Sequence, residues 1–196
     1  MFNSFEKIIY FALFLLFLIV RKYFTAKYRK SDYKKGKIKV LDTILLLLNG
    51  IGMIIPLIYS FSEILDFANY NRPFCMSIFG IIILIIAIIC LWFSHYNLGS
   101  NWTPTLGIKK DHRLVKNGIY KYIRHPMYSA HIIWALGQMA LLPNWIAGFS
   151  FILFSILLPL LRIKDEEHMM IEQFGERYKR YMKESGIIFP RLKFNK

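Results

Sequence analysis

Residues 74–93 read FCMSIFGIIILIIAIICLWF and contain no charged residue. A helix rises about 1.5 Å per residue, so a stretch of roughly 20 apolar residues crosses the ~30 Å hydrocarbon core of a bilayer. Working outward from this segment, four more apolar stretches appear, from about Phe5 to Tyr23, Leu41 to Phe61, Met127 to Leu142 and Trp145 to Leu161. The first two have full spanning length. The last two fall at or just under the lower edge of the usual range of roughly 17–25 residues. Only Pro143-Asn144 separates them, which reads as a tight helical hairpin. The expected fold class is therefore all-α, an integral membrane bundle of five transmembrane helices in a single membrane domain over residues 1–196. Residues 1–93 form its first three spans.

Composition agrees. The 196 residues are 56% hydrophobic, with a mean hydropathy of +0.38, whereas a soluble domain holds roughly 45–50% apolar residues. The formal net charge is +14, but the bases lie between apolar blocks. That places them against anionic lipid headgroups rather than nucleic acid. The apolar run Ile8–Val20 follows Glu6 and Lys7 and ends at Arg21-Lys22 without a small-residue cleavage site. It reads as a retained span, not a secretory signal. Cys75 and Cys90 lie in one predicted helix about 22 Å apart along its axis, too far to bond.

The bases also give an orientation. Arg21, Lys22, Lys27, Arg29, Lys30, Lys34, Lys35, Lys37 and Lys39 follow the first span. Arg72 alone follows the second, Lys109, Lys110, Arg113, Lys116, Lys121 and Arg124 follow the third, and the hairpin tip has none. The positive-inside rule then puts the N-terminus outside and the large loop and C-terminus in the cytoplasm. Gly50, Gly52, Asn49, Asp42 and Pro56 in the second span read as a helix-contact face. His131 and Gln138 in the fourth read as interhelical hydrogen-bond partners.

No dinucleotide fingerprint, P-loop, nucleophile elbow or His-Glu-x-x-His stands in the chain. The run Asp165–His168 has metal-ligand residue types, but no second cluster has matching spacing, so no metal is expected. The informative part lies between the third span and the tail. It reads His112-Arg113-Leu114-Val115, then Gly118-Ile119-Tyr120, then Arg124-His125-Pro126-Met127-Tyr128. After the hairpin come Arg162, Glu166 and Glu167, then Phe174-Gly175-Glu176-Arg177-Tyr178 and Phe189-Pro190-Arg191. Arg162 and Glu166 are four apart and share one helix face directly after the fifth span.

This ordered series, over roughly Asn101 to Pro190, resembles the isoprenylcysteine carboxyl methyltransferases and their prokaryotic relatives. The resemblance implies a cytoplasmic S-adenosylmethionine pocket, formed by the loop before the fourth span and the C-terminal tail, with residues 94–196 as the catalytic region. It implies cofactor contacts from His112, Arg113, Leu114, Val115, Tyr120, His125, Pro126, Met127, Tyr128 and Glu166. It makes Arg162 the catalytic, substrate-side arginine. The implied partners are membrane lipids and a lipophilic carboxylate arriving from the bilayer. The segment Thr103–Ile108 is a further candidate lining. Two other readings stay open at this level, N-methylation of a lipid amine and a non-catalytic scaffold or transport accessory.

Overall fold

The computed structural model describes residues 4–28, 33–35, 40–103, 108–109 and 112–191. Of the expected features, Arg29, Lys30, Lys37, Lys39 and Lys110 of the basic loops and 104–107 of the candidate lining lie outside the described residues. Five long helices occupy the five apolar stretches: α1 (Ser4–Tyr28), α2 (Val40–Phe61), α3 (Phe74–Leu98), α4 (Pro126–Leu141) and α5 (Trp145–Phe174). A short α6 (Glu176–Glu184) follows. Two small strands, β1 (Tyr33–Lys35) and β2 (Ile108–Lys109), pair antiparallel and are the one departure from helix among the described elements.

Four of the helices, α1, α2, α3 and α5, are long and apolar enough to cross a membrane. The fourth in the sequence, α4, has 16 residues, about 24 Å of helix. Its start is set by Pro126 at the first helical position, where a missing N–H costs nothing. Pro143 limits its other end. By contrast, α5 runs beyond the expected Leu161. Its extension to Phe174 is rich in good helix formers, and the helix continues through Pro159. Gly175, at φ 54°, ends it.

The helices meet through periodic faces. On α1 the buried stripe is Glu6, Tyr10, Phe14, Phe17, Val20 and Phe24, packed against α3. The nearly pure hydrocarbon α3 packs most closely on α4. Small residues permit this approach. A Cβ on Gly80 would lie 2.7 Å from Leu141 N, and one on Gly137 2.9 Å from Leu84 N. The α2 face read from sequence lies against α5: Asn49 Nδ2 donates to the Phe154 carbonyl at 3.2 Å, and Ser150 Oγ donates to the Gly52 carbonyl at 2.8 Å. Gln138 is fully buried, accepting from Tyr10 Oη and donating to the Ala147 carbonyl.

Each end of the bundle is closed by polar pairing. At the end carrying the hairpin tip, Arg72 reaches Glu6 at 2.9 Å and the Leu141 carbonyl at 2.8 Å. Ser77 bonds to both Arg72 and Glu6. Asn144 caps α5 by accepting from the Ile146 and Ala147 N–H groups, and its Nδ2 donates to Leu65 and Asn69 in the α2–α3 loop. At the opposite end the tail folds back beside the loop before α4. Arg124 N donates to Gly186 O, His125 N to Ile187 O and Gly186 N to Tyr122 O. Tyr181 Oη donates to the Tyr120 carbonyl at 2.6 Å.

The α3–α4 contact leaves no room for a methyl group at position 137. Substituting Gly137→Ala must displace Leu84 or its backbone, at a cost of about 1–3 kcal/mol. A lower thermal midpoint in detergent, against a wild-type-like midpoint for an exposed control such as Leu153→Ala, is the expected result.

Candidate active site

Where α1, α2, α4 and α5 meet the refolded loop and tail, one cavity of about 420 Å³ opens. That is within the range of roughly 300–1,000 Å³ typical of small-molecule sites. Its wall along the helices is apolar, with Phe17 and Leu18 from α1, Leu46 and Met53 from α2, and Phe151 and Leu158 from α5. Its other wall is polar and comes from the loop and from the extension of α5. The same space thus joins membrane-depth hydrocarbon to a cluster of charges.

Every residue to which the sequence resemblance gave a cofactor or substrate contact lines this cavity. His112, Arg113, Leu114 and Val115 contribute one edge, and Tyr120 another. His125, Pro126, Met127 and Tyr128 form the start of α4, while Arg162 and Glu166 project from α5. Local folding explains the placement. Gly118 sits at φ 57° and its missing side chain makes way for Asn97, because a Cβ there would stand 2.2 Å from Asn97 Oδ1. Asn97 Oδ1 in turn accepts from the Ile119 N–H. The short helical turn that follows buries Tyr120, whose hydroxyl donates to the Ser94 carbonyl. Burial pushes that hydroxyl's pKa well up, so it stays a neutral donor.

Two adjacent carboxylates organise the polar wall. Glu166 accepts from Tyr128 Oη at 2.6 Å through Oε1 and faces His125 Nδ1 at 3.3 Å through Oε2. Glu167 accepts from Arg124 Nε at 2.7 Å and faces His125 Nε2 at 3.3 Å. Arg124 Nη1 donates to the Ser185 and Met182 carbonyls, tying this cluster to the tail. Burial works against charge on His125, but hydrogen bonds and charge from Glu166 and Glu167 outweigh it and raise its pKa. Arg162 is buried, with Nε 3.5 Å from Asp42 Oδ1 and 3.7 Å from Glu166 Oε1. Neither contact is a hydrogen bond, and Arg162 Nε and Asp42 Oδ2 make none among the described residues. This guanidinium therefore keeps donor capacity for a further anion.

The run Asp165–His168 divides between the two faces of α5. Glu166 and Glu167 turn inward, while His168 pairs with Glu172 on the exposed face. The sequence reading did not single out Arg21 or Arg124 as site residues, and it placed Asp42 only in a helix contact. Arg21 carried a usable signal. It continues the stripe Tyr10, Phe14, Phe17 and Phe24 at helical spacing and so faces inward.

The sequence model of the isoprenylcysteine carboxyl methyltransferase (ICMT) family matches residues 80–172. Among named relatives, protein-S-isoprenylcysteine O-methyltransferase B of Arabidopsis thaliana is 28% identical, over 89% of this chain and 91% of that protein. The Schizosaccharomyces pombe protein-S-isoprenylcysteine O-methyltransferase is 46% identical over 83 residues, 40% of this chain and 34% of that one. Among solved structures, a eukaryotic intramembrane Ras methyltransferase ICMT superposes with a TM-score of 0.55 at 25% identity. The match covers 76% of this chain, and the chain spans 51% of that structure's length. The matched region takes in α4, the first loop motifs and the α5 carboxylates that build the cavity. This multi-pass membrane protein is thus similar to the isoprenylcysteine carboxyl methyltransferase family over residues 80–172.

Proposed function

We propose that the chain transfers a methyl group from S-adenosylmethionine to the carboxylate of a lipophilic acid such as a C-terminal prenylcysteine. The observation that carries this reading is the single cavity that joins apolar helix faces to Glu166, His125 and Arg162. A water-soluble acceptor would have no use for the hydrocarbon wall, and a purely apolar ligand none for the charges. In this reading α4 acts as a short fifth span, the N-terminus lies outside, and the cavity and C-terminus face the cytoplasm. The part from residue 94 to 196 then supplies the catalytic region.

The residues present fit the methyl donor. Glu166 is held by Tyr128 and His125 with lone pairs left over, which suits the hydroxyls of a ribose. Leu114 and Val115 offer an apolar edge for a purine. The role of His112, Arg113, Leu114, Val115, Tyr120, His125, Pro126, Met127, Tyr128 and Glu166 is accordingly to bind it. When bound, S-adenosylmethionine supplies a methyl group on a positively charged sulfur. Arg162 orients the acceptor carboxylate through the donor capacity left by its long contacts to Asp42 and Glu166. With the donor bound, transfer of that methyl to an acceptor oxygen would leave the bonding pair on sulfur and would ask no proton of the chain. A carboxylate is ionised at neutral pH, so the chain need provide only position and exclusion of water. Both ring nitrogens of His125 are engaged by Glu166 and Glu167. The imidazole is therefore not free to take a proton from an amine acceptor, whereas a carboxylate acceptor needs no base.

Methyl transfer from labelled donor to a prenylcysteine analogue, compared with a lipid extract, tests the reading. Base-labile counts on the analogue are expected, and base-stable counts confined to the lipid would overturn it. Arg162→Ala should lower turnover about 100-fold and leave binding of S-adenosylhomocysteine within about twofold of wild type. Glu166→Gln should weaken that binding about tenfold. The opposite pattern would exchange the two roles.

The carboxylate clamp also sets a pH dependence. Because His125 titrates above its ordinary value of 6.5, its contribution to stability is complete below that value and is lost as pH rises through the raised one. The melting temperature of the wild type should fall from about pH 6 to about pH 9, and that of His125→Gln should fall less. Parallel profiles would show that the imidazole carries no charge there.

A further inference from the structure

Arg21 has no part in the reading above, yet it lines the same cavity as Arg162 and Glu166. It lies on the inward stripe of α1, one turn beyond Phe17 and one before Phe24. Its Nη1 stands 3.1 Å from His131 Nε2 on α4. The His131 Nδ1 is 2.7 Å from the Met127 carbonyl, which can only accept, so Nδ1 carries the ring proton. The Nε2 lone pair is then what faces Arg21, and the imidazole is a neutral partner.

The other charges of the cavity are matched. Arg124 has Glu167, and Arg162 has Asp42 and Glu166. Arg113 is exposed to solvent. Arg21 has no carboxylate within ion-pair distance among the described residues. A partly buried guanidinium at the edge of hydrocarbon, held only by a neutral ring, is costly to keep charged without an anion. Arg162, of like charge, lines the same cavity and repels it. An anion placed between the two relieves both.

We infer that Arg21 is a second carboxylate-binding residue, gripping the acceptor's acid group from the α1 side while Arg162 holds it from α5. His131 acts as a positioning residue that fixes the Arg21 fork. This rests on the lipophilic-acid reading of the site and adds to it a source of selectivity. Once methylated, the product loses its charge and with it the reason to stay near Arg21. The geometry therefore favours acid over ester and helps release the product.

The test is equilibrium binding to full-length protein in detergent, saturated with S-adenosylhomocysteine. A prenylcysteine analogue is compared with its own methyl ester, for wild type, Arg21→Gln, Arg21→Ala and Arg21→Lys. Wild type should bind the acid about 10- to 100-fold tighter than the ester. Arg21→Gln, which keeps a polar but uncharged side chain, should lose most of that preference, as should Arg21→Ala. The lysine variant should recover part of it. Ester affinity and S-adenosylhomocysteine binding should not change in any variant. An undiminished acid preference in Arg21→Gln overturns the inference, as does an equal loss of acid and ester binding. Failure of the broader reading looks different: the wild type then yields no base-labile methyl product, although acid binding still tracks residue 21.

Discussion

The polar end of this molecule depends on how two neighbouring carboxylates on α5 are shared. Glu166 takes Tyr128 and one nitrogen of His125, and Glu167 takes the other nitrogen and Arg124. The residues they hold belong to the loop and first turn of α4. Arg124 passes the connection on to the tail through the Ser185 carbonyl. At the border of a membrane such charges cannot stand alone, since removing one partner of a buried pair leaves an uncompensated ion at a cost of about 3–5 kcal/mol. Three separate stretches of chain are therefore obliged to fold together or not at all.

That obligation explains why the site is assembled on helices rather than on loops alone. The carboxylates sit on a continuous 30-residue helix whose far end is fixed by Asn144 and the α2–α3 loop. A displacement of α5 would disturb both ends. The apolar wall is equally constrained, because α1 leans on α3 while α2 leans on α5. The cavity lies where those two packing pairs face each other. Apolar helix surface lines one side of it, and the guanidinium groups of Arg21 and Arg162 line the other.

The helices were readable from sequence because membrane spans announce themselves by length: a run such as Ile81–Ile89 has no competing solvent-exposed reading. The ends were less readable. The extension of α5 past Leu161 is amphipathic and charged, and a hydropathy pattern stops where the bilayer does. The site residues came from ordered local motifs, His112–Val115, Tyr120, His125–Tyr128, Arg162 and Glu166, and the fold brings all of them to one cavity. Arg21 and Asp42 lie outside those motifs. Arg21 opens a basic run after an apolar stretch, and such a charge is most often just a headgroup anchor. Helical spacing turned Arg21 inward and put Asp42 in a helix contact, but only the packing of α1 and α2 brings Arg21 to the cavity and Asp42 beside Arg162. The double use of His125 was also hidden, since two adjacent glutamates on one helix give no hint that a single imidazole bridges them.

The order in which these partners appear along the chain has a consequence for biosynthesis. Arg21 and Asp42 are made early, but His131, Arg162 and Glu166, which surround them, emerge only with the second half of the polypeptide. A nascent chain that has inserted α1 to α3 holds those two charges at the membrane border before their neighbours exist. The pocket closes last of all, when Ser185 and Gly186 leave the ribosome and dock on Arg124 and Tyr122. Until that segment docks, Arg124 and Tyr122 lack the backbone partners that Ser185 and Gly186 supply.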